Sequence, residues 1–199
     1  MSVETKHRVY VASSWRNPIQ PDVVAVLRRD GHDVYDFKNP APGDNGFSWK
    51  QIGDRSTWTA AQFATEVLDH PISAHGFGLD MAALDAASVC VLVLPCGRSA
   101  HLELGYAVGK RKLTVVYMPE LDEPELMYRM CDYVETTVEG VRRQLSKQRT
   151  RPRWQTDMTR GGAPEFANRC EPYRHRSCAV CGGCWRHGSC ICGPEIPTK

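Results

Sequence analysis

Six apolar residues run without interruption from Val89 to Leu94, rich in branched side chains, and stop at Pro95. That pattern predicts a strand buried on both faces, as in a parallel sheet. Pro95 and Gly97 follow as turn residues, and Ser99 offers a hydroxyl to cap a helix. Leu102, Tyr106 and Val108 fall at helical spacing up to Gly109, and the basic run Lys110, Arg111, Lys112 closes the segment. The unit is strand, tight turn, helix.

The same two periods recur along residues 1–148. HRVYVAS (7–13) alternates and predicts a first strand that carries Tyr10 and delivers Ser13, Ser14 and Trp15 to its carboxyl end. Pro18 or Pro21 opens a helix with Val23, Val24, Val26 and Leu27 inward, ended by Asp30-Gly31. HDVYDF (32–37) is a second strand, with Asp36 emerging near the same edge as Ser13. Residues 38–56 are dense in Pro, Gly, Asn and Asp and form a long loop, a class that is usually functional or mobile. Thr57 to His70 predicts a helix ended by Pro71, and His75 to Ala87 one that starts in glycines and places Asp80 in its early part. LTVVYM (113–118), a short strand at 132–135 and an amphipathic helix at 138–147 complete the series. Strands alternating with helices predict an α/β fold: a doubly wound, mostly parallel five-stranded sheet of the Rossmann or flavodoxin-like kind, with a small Cys-rich C-terminal appendage.

Composition changes this picture at one end only. Residues 1–149 hold 17 basic and 19 acidic side chains, whereas 150–199 hold 8 and 4. Neither balance is strong enough to argue that the body binds nucleic acid. The first residues lack the apolar segment of a secretory signal, and no apolar run reaches the length of a membrane span, so a cytoplasmic protein with no membrane contact is expected. Residues 149–169 contain few aliphatic side chains and read as a linker.

Residues 170–193 then concentrate six of the nine cysteines. Cys178, Cys181 and Cys184 are spaced C-x2-C-x2-C, followed by Cys190 and Cys192, with Cys170, His175 and His187 nearby. Those eight ligands suit two tetrahedral zinc sites, or a subset suits one. An iron–sulfur cluster also uses such spacing, and a tail of free thiols is the third reading. Ligand bonds would supply folding energy to a segment too short to bury a core. Such a tail could contact a nucleic acid or a protein.

For chemistry, the carboxyl edge of the sheet is where an α/β fold binds ligands. Glu103, placed by this reading in the first turn of its helix, would have its charged form favoured by the dipole; it either improves helix electrostatics or faces a substrate as a nucleophile. Asp80, flanked by Phe77, Leu79 and Met81, is a surface acid or a partly buried one with a raised pKa. Phe47 and Trp49 in the long loop could stack on a planar base or pin the loop to the core.

RVYVASS at the first strand, GLDMAALDAASVCVLVLP through the central strand and GRSAHLELGYAVGKRK after it together resemble the nucleoside 2-deoxyribosyltransferase family, including its nucleotide N-glycosidase relatives, over most of residues 7–140. The resemblance implies Glu103 as nucleophile on the anomeric carbon, Asp80 as the acid that assists the leaving base, and Tyr10 as an orienting hydroxyl. It implies sugar or 5′-phosphate contacts from Ser99 and nearby backbone N–H groups such as that of Gly97. A nucleoside or nucleotide substrate, no cofactor for catalysis and a homo-oligomer are its further implications. The residue pattern itself adds Ser13, Trp15, Asp36, Phe47, Trp49 and Arg98 as candidate substrate contacts. Where some of these transferases carry an extra acid in the turn before the catalytic helix, this chain reads Pro95, Cys96, Gly97, Arg98. Arg98 suits a phosphate or is an exposed solubilising residue, and the missing carboxylate moves weight toward a nucleotide substrate. A nucleotide-binding sensor without turnover and an adaptor working through its zinc tail are the non-enzymatic alternatives.

Overall fold

The protein is described here by a computed structural model covering residues 6–121 and 123–147. The apolar runs form β1 (Arg8–Ala12), β2 (Asp33–Tyr35), β3 (Val89–Val93), β4 (Leu113–Tyr117) and β5 (Tyr133–Glu135). All pair in parallel, in the order β2-β1-β3-β4-β5. Between them lie α1 (Gln20–Arg29), α2 (Ala60–Gln62), α3 (Pro71–Ala86), α4 (Arg98–Gly109) and α5 (Val138–Leu145). This is the flavodoxin-like strand order, and the direction of winding reverses between β1 and β3.

Side chains alternate across the sheet and so divide the core in two. Val9, Val11, Val89, Val91, Val93, Leu113 and Val115 face α1 and α5, where Val23, Val24, Leu27, Val141 and Leu145 cover them. Tyr10, Ala12, Cys90, Leu92 and Val116 face α3 and α4, against Leu84, Ala100, Leu104 and Ala107. β3 is buried along its whole length, as its unbroken apolar run requires. Period two therefore places Tyr10 on the α3/α4 side. Among the described residues no helix is long and apolar enough to cross a membrane.

Three local expectations are corrected. Thr57 to His70 is not one helix but a 3-10 turn, the single turn α2 and a π-helical segment, Phe63–Val67. Val67 is the one buried residue of α2 and the π segment, so packing gives a longer helix little support. Pro71 does not end a helix; it opens α3, where its missing N–H is harmless and His70 Nδ1 accepts from the Ile72 N–H at 3.2 Å. α3 consequently starts before Gly76 and Gly78, and Asp80 sits in its second half rather than its early part. Finally, Ser99 is not the cap of α4. Gly97 occupies that place without a side-chain hydrogen bond, and Glu103 falls in the second turn.

The linker and the Cys/His segment, with Cys170, His175, Cys178, Cys181, Cys184, His187, Cys190 and Cys192, lie outside the described residues.

Candidate active site

Two neighbouring strands in register deliver one tyrosine each to the α3/α4 face. Tyr10 of β1 pairs with Tyr35 of β2, and the two rings stack at 5.4 Å between centroids with 18° between planes. Above them α3 supplies Asp80 and α4 supplies Glu103. The Tyr35 hydroxyl donates to Asp80 Oδ1 at 2.8 Å. Tyr10 is fully buried; its hydroxyl lies close enough to Glu103 to favour that carboxyl's charged form, yet among the described residues no acceptor completes a hydrogen bond to it. A buried donor left unpaired is uncommon and asks for a reason.

The acids are not simple surface carboxylates. Burial, followed by the neighbouring Asp80 charge, pushes Glu103 up to about 7 against the opposing influence of Tyr10. Burial likewise raises Asp80, and the Tyr35 hydrogen bond pulls it back. This corrects the expected stabilisation of Glu103 as an anion by its helix: the dipole effect fades beyond the first turn, and desolvation with a like charge overrides it. Charge on Asp80 therefore makes Glu103 harder to ionise. Both tyrosine hydroxyls are driven upward, first by burial and then by these carboxylates, and remain protonated donors.

Cys96, in the turn before α4, lies 3.5 Å from His101 Nδ1. That geometry alone would suggest an activated thiol. Burial and the Glu103 charge instead push its pKa up to about 12, so the thiolate a nucleophile needs is absent near neutrality.

Beside Asp80 opens a cavity of about 70 Å³ lined by Tyr35, Phe37, Asp44, Phe47, Gln51, His75, Leu79 and Asp80, among others. Phe47 forms part of its wall and meets Trp49 edge to face at 4.7 Å; Trp49 in turn contacts Trp58 and Phe63. The aromatic residues of the long loop thus fall into two places: Phe47 at the cavity, Trp49 in a cluster behind it. Gly76 of α3 permits the approach, because a Cβ there would stand 2.7 Å from Phe47 Cβ. Substituting Gly76→Ala should favour the helix by roughly 1 kcal/mol yet displace Phe47. The two effects oppose each other, so we expect a net change in Tm of no more than about a few degrees together with an altered Phe47 environment; a melting curve beside near-ultraviolet circular dichroism checks this.

The remaining sequence-predicted residues are dispersed. Ser13 donates to the Val93 carbonyl at 2.8 Å and thereby joins the ends of β1 and β3. Trp15 is half exposed and packs edge to face on Phe37 at 5.4 Å, with Gly46 at a φ of 74° beneath its ring. The carboxylate of Asp36 is engaged by Gln20 Nε2, the Lys38 N–H and Asn39 Nδ2. Burial opposes its charge, but these donors outweigh burial and hold its pKa below the usual range. Gly97, Arg98 and Ser99 are exposed at the start of α4. The structure thus gathers Glu103, Asp80, Tyr10 and Phe47 and leaves Asp36 occupied in its own turn.

Sequence reasoning missed Tyr35, Asp44, Gln51, His75 and Asn17. Tyr35 had one available signal: the dipeptide Val-Tyr recurs at the same place in both predicted strands. Asn17 had none; it is buried, donates to the Val93 and Pro95 carbonyls at 3.1 Å each and accepts from the Ile19 N–H at 2.9 Å. Among the described residues no group of three or more His, Cys, Asp or Glu side chains is placed to hold a metal ion.

No protein-family model matches the chain, and no curated protein matches it. Among solved structures it is similar to the 2-deoxyribosyltransferase of the psychrotolerant bacterium Bacillus psychrosaccharolyticus, with 17% identity and a TM-score of 0.45, over 71% of this chain and 98% of that one.

Proposed function

We propose that this protein cleaves or exchanges the N-glycosidic bond of a nucleoside or nucleoside 5′-monophosphate. One observation carries the reading: two partly buried carboxyls on separate helices lie within electrostatic reach of each other, each near its own tyrosine hydroxyl, and one of them, Asp80, lines an aromatic-walled cavity. Breaking C1′–N builds positive charge on the sugar and negative charge on the base, so the site needs an ionised carboxylate and a proton donor together. A pair sharing one proton supplies both.

In the forward step a Glu103 carboxylate oxygen bonds to C1′ as the C1′–N bond breaks. The electron pair goes to the base nitrogen, which takes the Asp80 proton. In the second step water or another base attacks C1′ and surrenders its proton to Asp80, and the Glu103 ester opens. Tyr10, as an unpaired buried donor, would hold the carboxylate before attack. Arg98, exposed at the start of α4, suits a 5′-phosphate.

A second reading exchanges the two acids. The hydroxyl on Asp80 favours its ionised form, whereas Glu103 retains its proton up to about 7, the behaviour of an acid. The test is incubation with nucleosides and 5′-nucleotides, with and without a second base, followed by chromatography and by acid quenching with peptide mapping. Free or exchanged base with a sugar adduct on Glu103 is the expected result, and an adduct on Asp80 would exchange the roles. No base released from any substrate would sink the proposal.

A further inference from the structure

The β1/β2 register aligns Tyr10 with Tyr35, so that the stacked pair presents one hydroxyl to each acid. Tyr10 belongs to the set expected from sequence; Tyr35 does not. Its hydroxyl is directed to one oxygen of Asp80, Oδ1, at 2.8 Å. That bond fixes the carboxyl plane. It occupies Oδ1 and leaves Oδ2 to carry the transferable proton. Tyr35 also lines the cavity beside Asp80, so the bond sits at the edge where a base would depart.

The geometry points to Tyr35 as the positioning residue of the acid: by holding Asp80 Oδ1 it orients Oδ2 toward the leaving base and keeps the proton available for transfer. This rests on the glycosidic reading above. The balance is simple. Tyr35 keeps its own proton throughout, because burial and then the Asp80 charge oppose its ionisation; the proton that moves is the one on Asp80. The groups facing Asp80 are Tyr10 from β1, Tyr35 from β2 and Glu103 from α4, with Asp44 and His75 on the cavity wall. Burial makes Asp80 reluctant to ionise, which suits a proton donor, and the Tyr35 hydrogen bond opposes that rise.

The test is Tyr35→Phe in the full chain, which keeps the ring stacked on Tyr10 and removes only the hydroxyl. We expect kcat to fall roughly 10-fold, the size of one lost hydrogen bond to a charged group, with KM little changed. The alkaline limb of the kcat profile should move up by about half a pH unit or more, since the ionised form of Asp80 has lost its donor. In an Asp80→Asn background the same change should have almost no further effect on kcat. An unmoved alkaline limb, or full additivity with Asp80→Asn, would overturn the assignment and leave Tyr35 a packing residue. Wild-type protein that releases no base would instead remove the glycosidic reading itself, so the two failures are distinct.

Discussion

Replacing Glu103 by Gln is expected to lower kcat by on the order of 10,000-fold and, at pH 8, to raise the melting temperature by several degrees. On the proposed mechanism the activity loss comes from removing the oxygen that would bond to C1′; Gln fills the same volume but does not form the ester. The gain in stability follows from linkage. Glu103 has an ordinary pKa of 4.5 and is lifted to about 7 in the folded protein. Below 4.5 it is protonated in both states and contributes nothing. Between 4.5 and about 7 the folded state keeps a proton that the unfolded chain has released, so stability falls as pH rises. Above about 7 the full penalty is present, on the order of 3 kcal/mol. Gln carries no such penalty. Paired denaturation curves at pH 4 and pH 8 check the sign: the variant should match wild type at the lower pH and exceed it at the higher. A variant that is equally stable at both would mean that Glu103 is not held in a desolvated place, and an active one that it is not the nucleophile.

Asn17→Leu should have the largest effect on folding among the residues around the site. Its amide ties the Val93 and Pro95 carbonyls to the Ile19 N–H. Leucine has nearly the same size and none of those bonds. The Pro95 carbonyl and the Ile19 N–H would lose the partner Asn17 gives them, while the Val93 carbonyl would still accept from Ser13. A loss of about 3 kcal/mol follows, equivalent to a drop in Tm on the order of 10 °C. Because the turn at Pro95 leads directly into α4, activity at temperatures below the transition should fall as well. Thermal denaturation followed by circular dichroism would measure it; a change under one degree would show that the turn does not depend on Asn17.

What could be read from the chain alone follows from how local each cause is. β3 was legible because six apolar residues in a row admit few environments, and β1 and α1 because alternation and a Pro near the helix start are short-range signals. The start of α3 is misread from the sequence because Gly76 and Gly78 look like a helix beginning; the role of Gly76 lies in a contact with Phe47, nearly thirty residues away. The α4 boundary slipped because Ser99 is a good cap by type, whereas the turn after Pro95 places Gly97 there. Glu103 and Asp80 could be singled out as acids at the right edge. Their charge states could not, since each depends on burial and on the other. Tyr35 acquires its role only through registration with Tyr10, and pairing partners are invisible in a linear sequence.

β2 spans three residues, bonds among the described residues to a neighbouring strand on one side only, and bears the hydroxyl that donates to Asp80. Short outer strands are among the first parts of a sheet to open on warming. On the proposed mechanism, warming would therefore loosen the support of the proton donor before the buried central strands open, and activity would be lost at the outermost seam before the core melts.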